Sequence, residues 1–218
     1  QICGADQWGN SVTGVSLIRK LEGGEAHVLS TPLIINKQTG VKFGKSESGA
    51  IWVSPEKTSP YQFYQFWLNT DDESAKNLIK IYTLLDRNTI EEAIEQHNNN
   101  PGSRILQKLL AYEVTKLIHG EERAEAVKNA SLFLFSKDNF ELTDDVTNIL
   151  ANELPNISIG QSLVDSLVDS QIAKSKGEAK RLIANGSVSV NGVKVTEDIT
   201  IDNISIIKKG KNSFALAK

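Results

Sequence analysis

Ser175-Lys176-Gly177-Glu178-Ala179-Lys180-Arg181-Leu182-Ile183-Ala184-Asn185-Gly186-Ser187-Val188-Ser189-Val190-Asn191-Gly192-Val193-Lys194-Val195 encodes a capped helix followed by a hairpin. Ser175 and Glu178 have capping-box spacing: the hydroxyl accepts a free amide of the first turn and the carboxylate reaches back. Ala179, Leu182 and Ile183 supply a buried face, and Asn185-Gly186 closes the helix. Val188-Ser189-Val190 and Val193-Lys194-Val195 then alternate around Asn191-Gly192. A type I′ turn needs positive φ at both central residues, which Asn-Gly supplies. Upstream, Leu163, Val164, Leu167 and Val168 mark another helix. Short strands are expected at 199–201, 204–207 and 213–217. Residues 157–218 thus read as a small α+β module.

Before this module the pattern changes twice. Residues 56–150 read as all-helical. Thr58-Ser59-Pro60 opens a helix, since a hydroxyl caps free amides and proline suits the first helical position. Phe63, Tyr64, Trp67 and Leu68 share one face, read as core packing. Leu78, Ile81, Tyr82 and Leu85 repeat the spacing. Thr89-Ile90-Glu91-Glu92 fits a second capping box, and Leu106, Leu109, Leu110, Val114, Leu117 and Ile118 form a stripe stopped at Gly120. Residues 136–156, with Pro155 near their end, read as a linker. Residues 1–55 read as the end of an α/β sheet domain. A helix through Val12, Val15, Leu17, Ile18 and Leu21 ends at Gly23-Gly24, and Thr31-Pro32 leads into a buried strand at Leu33-Ile34-Ile35. The fold class is multidomain: α/β, then all-α, then α+β.

Composition narrows the function. The chain has 218 residues, 39% hydrophobic and 23% charged, the balance of a globular protein. No run approaches the roughly 18–20 apolar residues of a bilayer span. The single cysteine, Cys3, excludes an internal disulfide and suits a reducing compartment, either cytosol or organelle matrix. His27, His97, His119 and Cys3 are too scattered for a metal site. The chain has no methionine, and Gln1-Ile2-Cys3-Gly4 reads like the middle of a domain; a piece of a longer protein is expected. Net charge is −3 but uneven. From Gly160 onward nine basic residues face six acidic ones, net +3, whereas the remainder has 15 basic and 21 acidic, net −6. A basic tail on an acidic body suits an anionic partner.

Three constellations carry chemistry. In Val41-Lys42-Phe43-Gly44-Lys45-Ser46-Glu47-Ser48-Gly49, two lysines and a hydroxyl share a glycine-bearing loop. Lysine is a compact point charge able to neutralise a polyphosphate leaving group as its charge develops. The run lacks the Walker frame; a solvated loop is the alternative. In Gly4-Ala5-Asp6-Gln7-Trp8-Gly9-Asn10, Asp6 can accept from ribose hydroxyls, Gln7 can donate and accept, and the following helix offers free amides to an anion. The alternative is Asp6 as an N-cap beside a packed Trp8. Finally, Lys174, Lys176, Lys180 and Arg181 cluster on or beside the capped helix, and Lys208, Lys209 and Lys211 on a later turn. Little aromatic interleaving points to phosphate contact with structured RNA rather than base stacking. An ordinary solvated surface is the alternative.

In order and spacing these motifs resemble the tyrosyl-tRNA synthetases of bacterial or organellar type without their N-terminal half. The resemblance runs through Gln1 and Gly4–Asn10, Lys42-Phe43-Gly44-Lys45-Ser46, Lys57–Trp67 and Glu113-Val114-Thr115-Lys116-Leu117-Ile118-His119-Gly120. The tail resembles the RNA-binding module named after ribosomal protein S four. The resemblance implies a class I enzyme that joins tyrosine to ATP and passes the tyrosyl group to tRNA(Tyr). Residues 1–55 would end its Rossmann-like catalytic domain, 56–150 would form a helical anticodon-arm domain, and 157–218 the RNA-binding module. Residues 42–46 match the mobile KMSKS loop in a KFGKS variant. Lys42, Lys45 and Ser46 would stabilise pyrophosphate, Gly4 and Asp6 would hold ribose, Gln1 and Gln7 would contact tyrosine, and Ile34 and Ile35 would lie against adenine. ATP is then a substrate, with Mg2+ carried by the nucleotide and no protein-bound metal. Dimerisation would run through the absent half, which also holds the histidine-containing HIGH-type motif, so the chain is expected to be inactive alone. Cys3 stands where the family more often has glycine. A non-catalytic RNA-binding protein with a residual synthetase domain is the alternative.

Overall fold

A computed structural model of the chain describes residues 1–35, 51–135, 142–210 and 213–218. At the start, β1 (Ile2–Gly4) pairs in parallel with β2 (Leu29–Thr31), in register from Ile2↔Leu29 to Gly4↔Thr31. A 3-10 turn at Ala5–Gln7 leads into α1 (Trp8–Glu22). Gly23, at φ 62°, ends α1 in the left-handed conformation its missing Cβ permits. The strand falls earlier than the expected Leu33-Ile34-Ile35. Pro32 follows Thr31 directly and has no N–H to extend a ladder. Ile34 packs instead against the helical core, and Ile35 is exposed.

The apolar face of α1 is bare. Leu17 is 50% exposed and Leu21 78%, and on β1 Ile2 is 78% exposed. Parallel strands normally lie buried with both faces covered, and among the described residues these two are covered only in part, where Cys3 of β1 meets Ser11 of α1.

The helical unit comprises α2 (Pro60–Leu68), α3 (Asp72–Tyr82), α4 (Arg87–Asn99), α5 (Ile105–His119), α6 (Glu121–Phe135) and α7 (Asp144–Glu153). Ser59 caps α2, accepting from the Gln62 amide at 3.1 Å with Pro60 at the first position. Asp71 caps α3 through the Ser74 amide at 2.9 Å. The start of α4 corrects the sequence reading. Asp86 is the cap, accepting from the Thr89 amide at 3.0 Å and hydroxyl at 2.7 Å, so Thr89 lies inside the helix. A carboxylate three residues upstream was in place before the threonine could cap. Residues 136–156 are likewise not simply a linker. Thr143 caps α7, two aspartates occupy its first turn, and Val146 and Leu150 bury one face. A single short stripe, next to Pro155, hid this helix.

Helix α5 is the axis of the unit. Leu106, Leu110, Ala111 and Val114 are buried against Phe63, Tyr64 and Trp67 of α2, Leu78 and Ile79 of α3, and Val127 and Ala130 of α6. The aromatic face of α2 is core, as its spacing suggested. One polar junction crosses this packing: Asp72 accepts from His97 Nε2 at 3.2 Å and from Gln107 Nε2 at 2.6 Å, tying α3, α4 and α5 together.

His119, at the end of α5, stands edge-on to Phe63 with centroids 4.9 Å apart. Burial, then the Arg123 charge, holds its imidazole below the usual histidine range. The unfolded chain therefore takes up the proton first. This contribution to stability is complete above the unfolded value near ~6.5 and declines as pH falls toward the lower folded value. Denaturant midpoints should fall between about pH 7.5 and pH 5.5, and H119Q should flatten that slope. An identical slope in the variant would refute the assignment.

The C-terminal module contains β3 (Asn156–Ile157), α8 (Leu163–Asp169), α9 (Lys176–Ala184), β4 (Val188–Val190), β5 (Val193–Val195), β6 (Ser205–Lys209) and β7 (Ser213–Ala217). The sheet order is β3-β7-β6-β4-β5, with β3 parallel to β7 and the other pairs antiparallel. Asn191 at φ 48° and Gly192 at φ 81° make the predicted turn, with Val190 opposite Val193. Ser175 accepts from the Glu178 amide, but Glu178 reaches one residue further back, accepting from the Lys174 amide at 2.9 Å. The strand expected at 199–201 reduces to one bridge, Ser162↔Thr200. Leu163, Leu167, Ala179, Ile183 and Ile207 form the module core, while Ile206, Phe214 and Leu216 are buried in the helical core. Among the described residues no helix is long and apolar enough to cross a membrane.

Candidate nucleotide site and nucleic-acid interface

Because β1 and β2 are parallel, their C-terminal ends, Gly4 and Thr31, lie side by side. Ligands of α/β sheets bind outside that edge, and the candidate residues gather there. Gly4 is closely approached by two side chains. A Cβ there would lie 2.7 Å from Asp6 Oδ1 and 2.8 Å from Leu33 Cδ2. Gln7 Nε2 donates to Asp6 Oδ2 at 3.4 Å, and Asn10 Nδ2 donates to Gln7 Oε1 at 3.0 Å. This chain of amides orients one carboxylate at the head of α1. The reading of Asp6 as a helix cap beside a packed Trp8 does not hold. Gln7 occupies the cap position without a side-chain bond, and Trp8 is 52% exposed.

The rest of the set is unevenly placed. The Gln1 ammonium donates to His27 O at 2.9 Å, closing the start of β1 against the chain two residues before β2. Gln1 therefore lies at the opposite end of β1 from Gly4. Cys3 Sγ lies 3.5 Å from Ser11 Oγ, a small-side-chain contact between β1 and α1. Of the two isoleucines assigned to adenine, Ile34 packs against the helical core, which leaves Ile35 as the exposed one. Lys42, Lys45 and Ser46 lie outside the described residues. The segment just after them is anchored: the Trp52 amide donates to Thr58 Oγ1 at 3.0 Å, and Lys57 Nζ stands 4.1 Å from the Trp52 ring centroid.

The basic residues of the module divide into two groups. Lys174, Lys180 and Arg181 are exposed, and Arg181 Nε makes a local bond to Gly177 O at 3.3 Å. Lys176 is exposed too, but its Nζ pairs with Asp165 at 2.6 Å. Its ammonium holds the Asp165 carboxyl below the usual carboxylate range. Lys209 Nζ donates to Ile172 O at 2.9 Å, and Lys208 Nζ to Leu134 O at 3.0 Å. Lys211 lies outside the described residues. Sequence spacing grouped all of these as one cationic face; intramolecular partners separate them. The structure also adds a residue. Lys194, exposed on β5, lines a groove of about 490 Å³ with Ser187, Ser189, Gly186, Lys208 and Lys209. Its place in the Val193-Lys194-Val195 alternation could have flagged it as the outward position.

Comparisons with known proteins cover the whole chain. Residues 1–136 match the family "tRNA synthetases class I (W and Y)", and residues 145–217 match "Tyrosine--tRNA ligase SYY-like C-terminal domain". Tyrosine--tRNA ligase 2 of Bacillus cereus (strain ZK / E33L) is 43% identical over 100% of this chain and 55% of its own length. Tyrosine--tRNA ligase 1 of Enterococcus faecalis (strain V583) is 41% identical over the same shares. The chain thus spans about half the length of these curated relatives. A C-terminally truncated Aspergillus nidulans mitochondrial tyrosyl-tRNA synthetase superimposes with a TM-score of 0.53 at 29% identity, over 62% of this chain and 39% of that one.

Proposed function

Because the chain belongs to the class I tRNA synthetases of the W and Y type, we propose that it supplies the C-terminal portion of a tyrosine–tRNA ligase. The family alone leaves two amino acids open. The match of residues 145–217 to a tyrosine–tRNA ligase C-terminal domain selects tyrosine, and this observation carries the reading. In the reaction the tyrosine carboxylate attacks the α-phosphorus of ATP, and pyrophosphate leaves as tyrosyl adenylate forms. A terminal hydroxyl of tRNA(Tyr) then takes the tyrosyl group and AMP departs. Lys42, Lys45 and Ser46 offset charge on the departing pyrophosphate. Asp6 accepts from the ribose beside Gly4, where a Cβ would push the Asp6 and Leu33 side chains aside. Gln7 contacts the tyrosyl group and Ile35 borders adenine; Gln1, at the far end of β1, and Ile34, packed on the helical core, stand apart from that edge. Mg2+ travels with the ATP. Among the described residues no group of three or more His, Cys, Asp or Glu side chains could hold a metal ion.

The proposed domains are 1–55, 56–150 with α7 extending it to Glu153, and 157–218. The last, a helix pair against a small sheet, is proposed as the RNA-binding module named after ribosomal protein S four. The helical unit faces the anticodon arm. The exposed apolar side chains of α1, β1 and β2 support a seam where further parallel strands of the catalytic domain pack, and a homodimer would form through the N-terminal half. A purely non-catalytic RNA-binding role is not favoured, since more than half of the chain matches the synthetase family. The test is complementation. The chain alone should give no ATP–pyrophosphate exchange. Mixed with the N-terminal portion of the Bacillus cereus relative, it should give tyrosine-dependent exchange. Exchange by the chain alone, or stable association without exchange, would refute the proposal.

A further inference from the structure

Lys208 and Lys209 are successive residues of β6, and successive strand side chains point to opposite faces. Lys209 turns into the module, with Nζ donating to Ile172 O at 2.9 Å and standing 3.6 Å from Glu178 Oε1. Lys208 turns toward the helical unit. Its Nζ donates to Leu134 O at 3.0 Å, near the end of α6, and lies 5.1 Å from the Phe214 ring centroid. Phe214 in turn meets Phe135 edge to face, with centroids 5.4 Å apart. Ile206, Phe214 and Leu216 complete this seam inside the helical core.

An ammonium donating to a backbone carbonyl makes a charge-assisted hydrogen bond, stronger than one between neutral groups. The Phe214 ring adds attraction for the same charge. An ammonium held this way is committed to the seam rather than left to follow an RNA phosphate. We propose that Lys208, together with the Phe135–Phe214 contact, is a positioning residue: it fixes the C-terminal module on α6, so that Lys174, Lys180 and Arg181 stand in a set relation to the helical unit when RNA binds. The inference rests on the RNA-binding reading above, but not on any base contact.

The experiment uses the 218-residue chain and a tRNA(Tyr) transcript, with affinity measured across a salt series and amide hydrogen exchange measured without RNA. K208M removes the charge and keeps most of the stem. K208R keeps the charge, and F135A weakens the seam from the helical side, at a half-exposed residue. K208M and F135A should each bind about three- to tenfold more weakly, the size of one ordinary net hydrogen bond or one aromatic pair. The salt slope should match the parent, K208R should recover most of the affinity, and the end of α6 and β7 should exchange faster. If Lys208 is instead a phosphate contact, K208M loses roughly 0.7–0.9 of salt slope while F135A binds like the parent and exchange is unchanged; that result overturns the inference. If the parent binds no RNA, the RNA reading fails by itself. Exchange then decides: faster α6 and β7 amides in K208M uphold the docking role, and unchanged amides overturn it.

Discussion

Replacing Lys42 and Lys45 together with alanine is expected to abolish adenylate formation in the complemented enzyme. Removing a single group that stabilises developing charge lowers kcat by about 10²–10³-fold. Two lysines acting on one pyrophosphate should therefore cost at least that much, and less than the product of the single losses, because groups acting as a unit are not additive. The loss should fall equally on kcat and kcat/KM, since the charge they offset appears only as the bond to the leaving group breaks. Arginine should not restore the rate, because its rigid planar fork cannot substitute for a compact ammonium. ATP–pyrophosphate exchange measures this directly. A double variant within a few-fold of the parent would remove Lys42 and Lys45 from the mechanism and leave that loop as a solvated surface segment.

Neutralising Lys174, Lys180 and Arg181 together should weaken tRNA binding by two to three orders of magnitude at about 0.1 M salt. Each phosphate contact contributes up to roughly 0.9 to the slope of log affinity against log salt. At tenth-molar salt that corresponds to a little under tenfold in affinity per contact. The triple variant should thus lose between two and three units of slope and show the same loss with unrelated structured RNAs, because phosphate contacts carry no sequence information. K176Q should do less. Its ammonium is engaged with Asp165 and would have to leave that pair to reach RNA. Equal effects of K176Q and K180Q on the slope would contradict the division of the basic residues into free and engaged groups.

Local chemistry made parts of this fold readable in advance. Ser59-Pro60, Ser175, Asn191-Gly192 and Gly120 work through the backbone at their own positions, so the sequence suffices to place them. Thr89 was misread because Asp86, a competing acceptor on the same turn, only shows its priority in three dimensions. Helix α7 and β3 were missed for a related reason. Each is short, and each owes its stability to distant surfaces: Leu150 to the helical core and Ile157 to β7. The basic cluster was readable as composition but not as function. Whether a lysine is free depends on partners such as Asp165, Ile172 O and Leu134 O, which lie far away in the sequence. The α1 stripe shows the converse limit. Its periodicity announces a buried face, and no pattern within the helix says which surface covers it.

Among the described residues, the two short parallel strands at the start leave backbone amides and carbonyls unpaired along both rims. Such rims are templates for any extended peptide, and the apolar side chains of Ile2 and Leu29 on them make that pairing sticky. The isolated polypeptide should accordingly become turbid as its concentration rises, whereas the complemented form stays clear. Dilute stocks and early addition of the complementing segment are therefore a practical condition for every measurement described above.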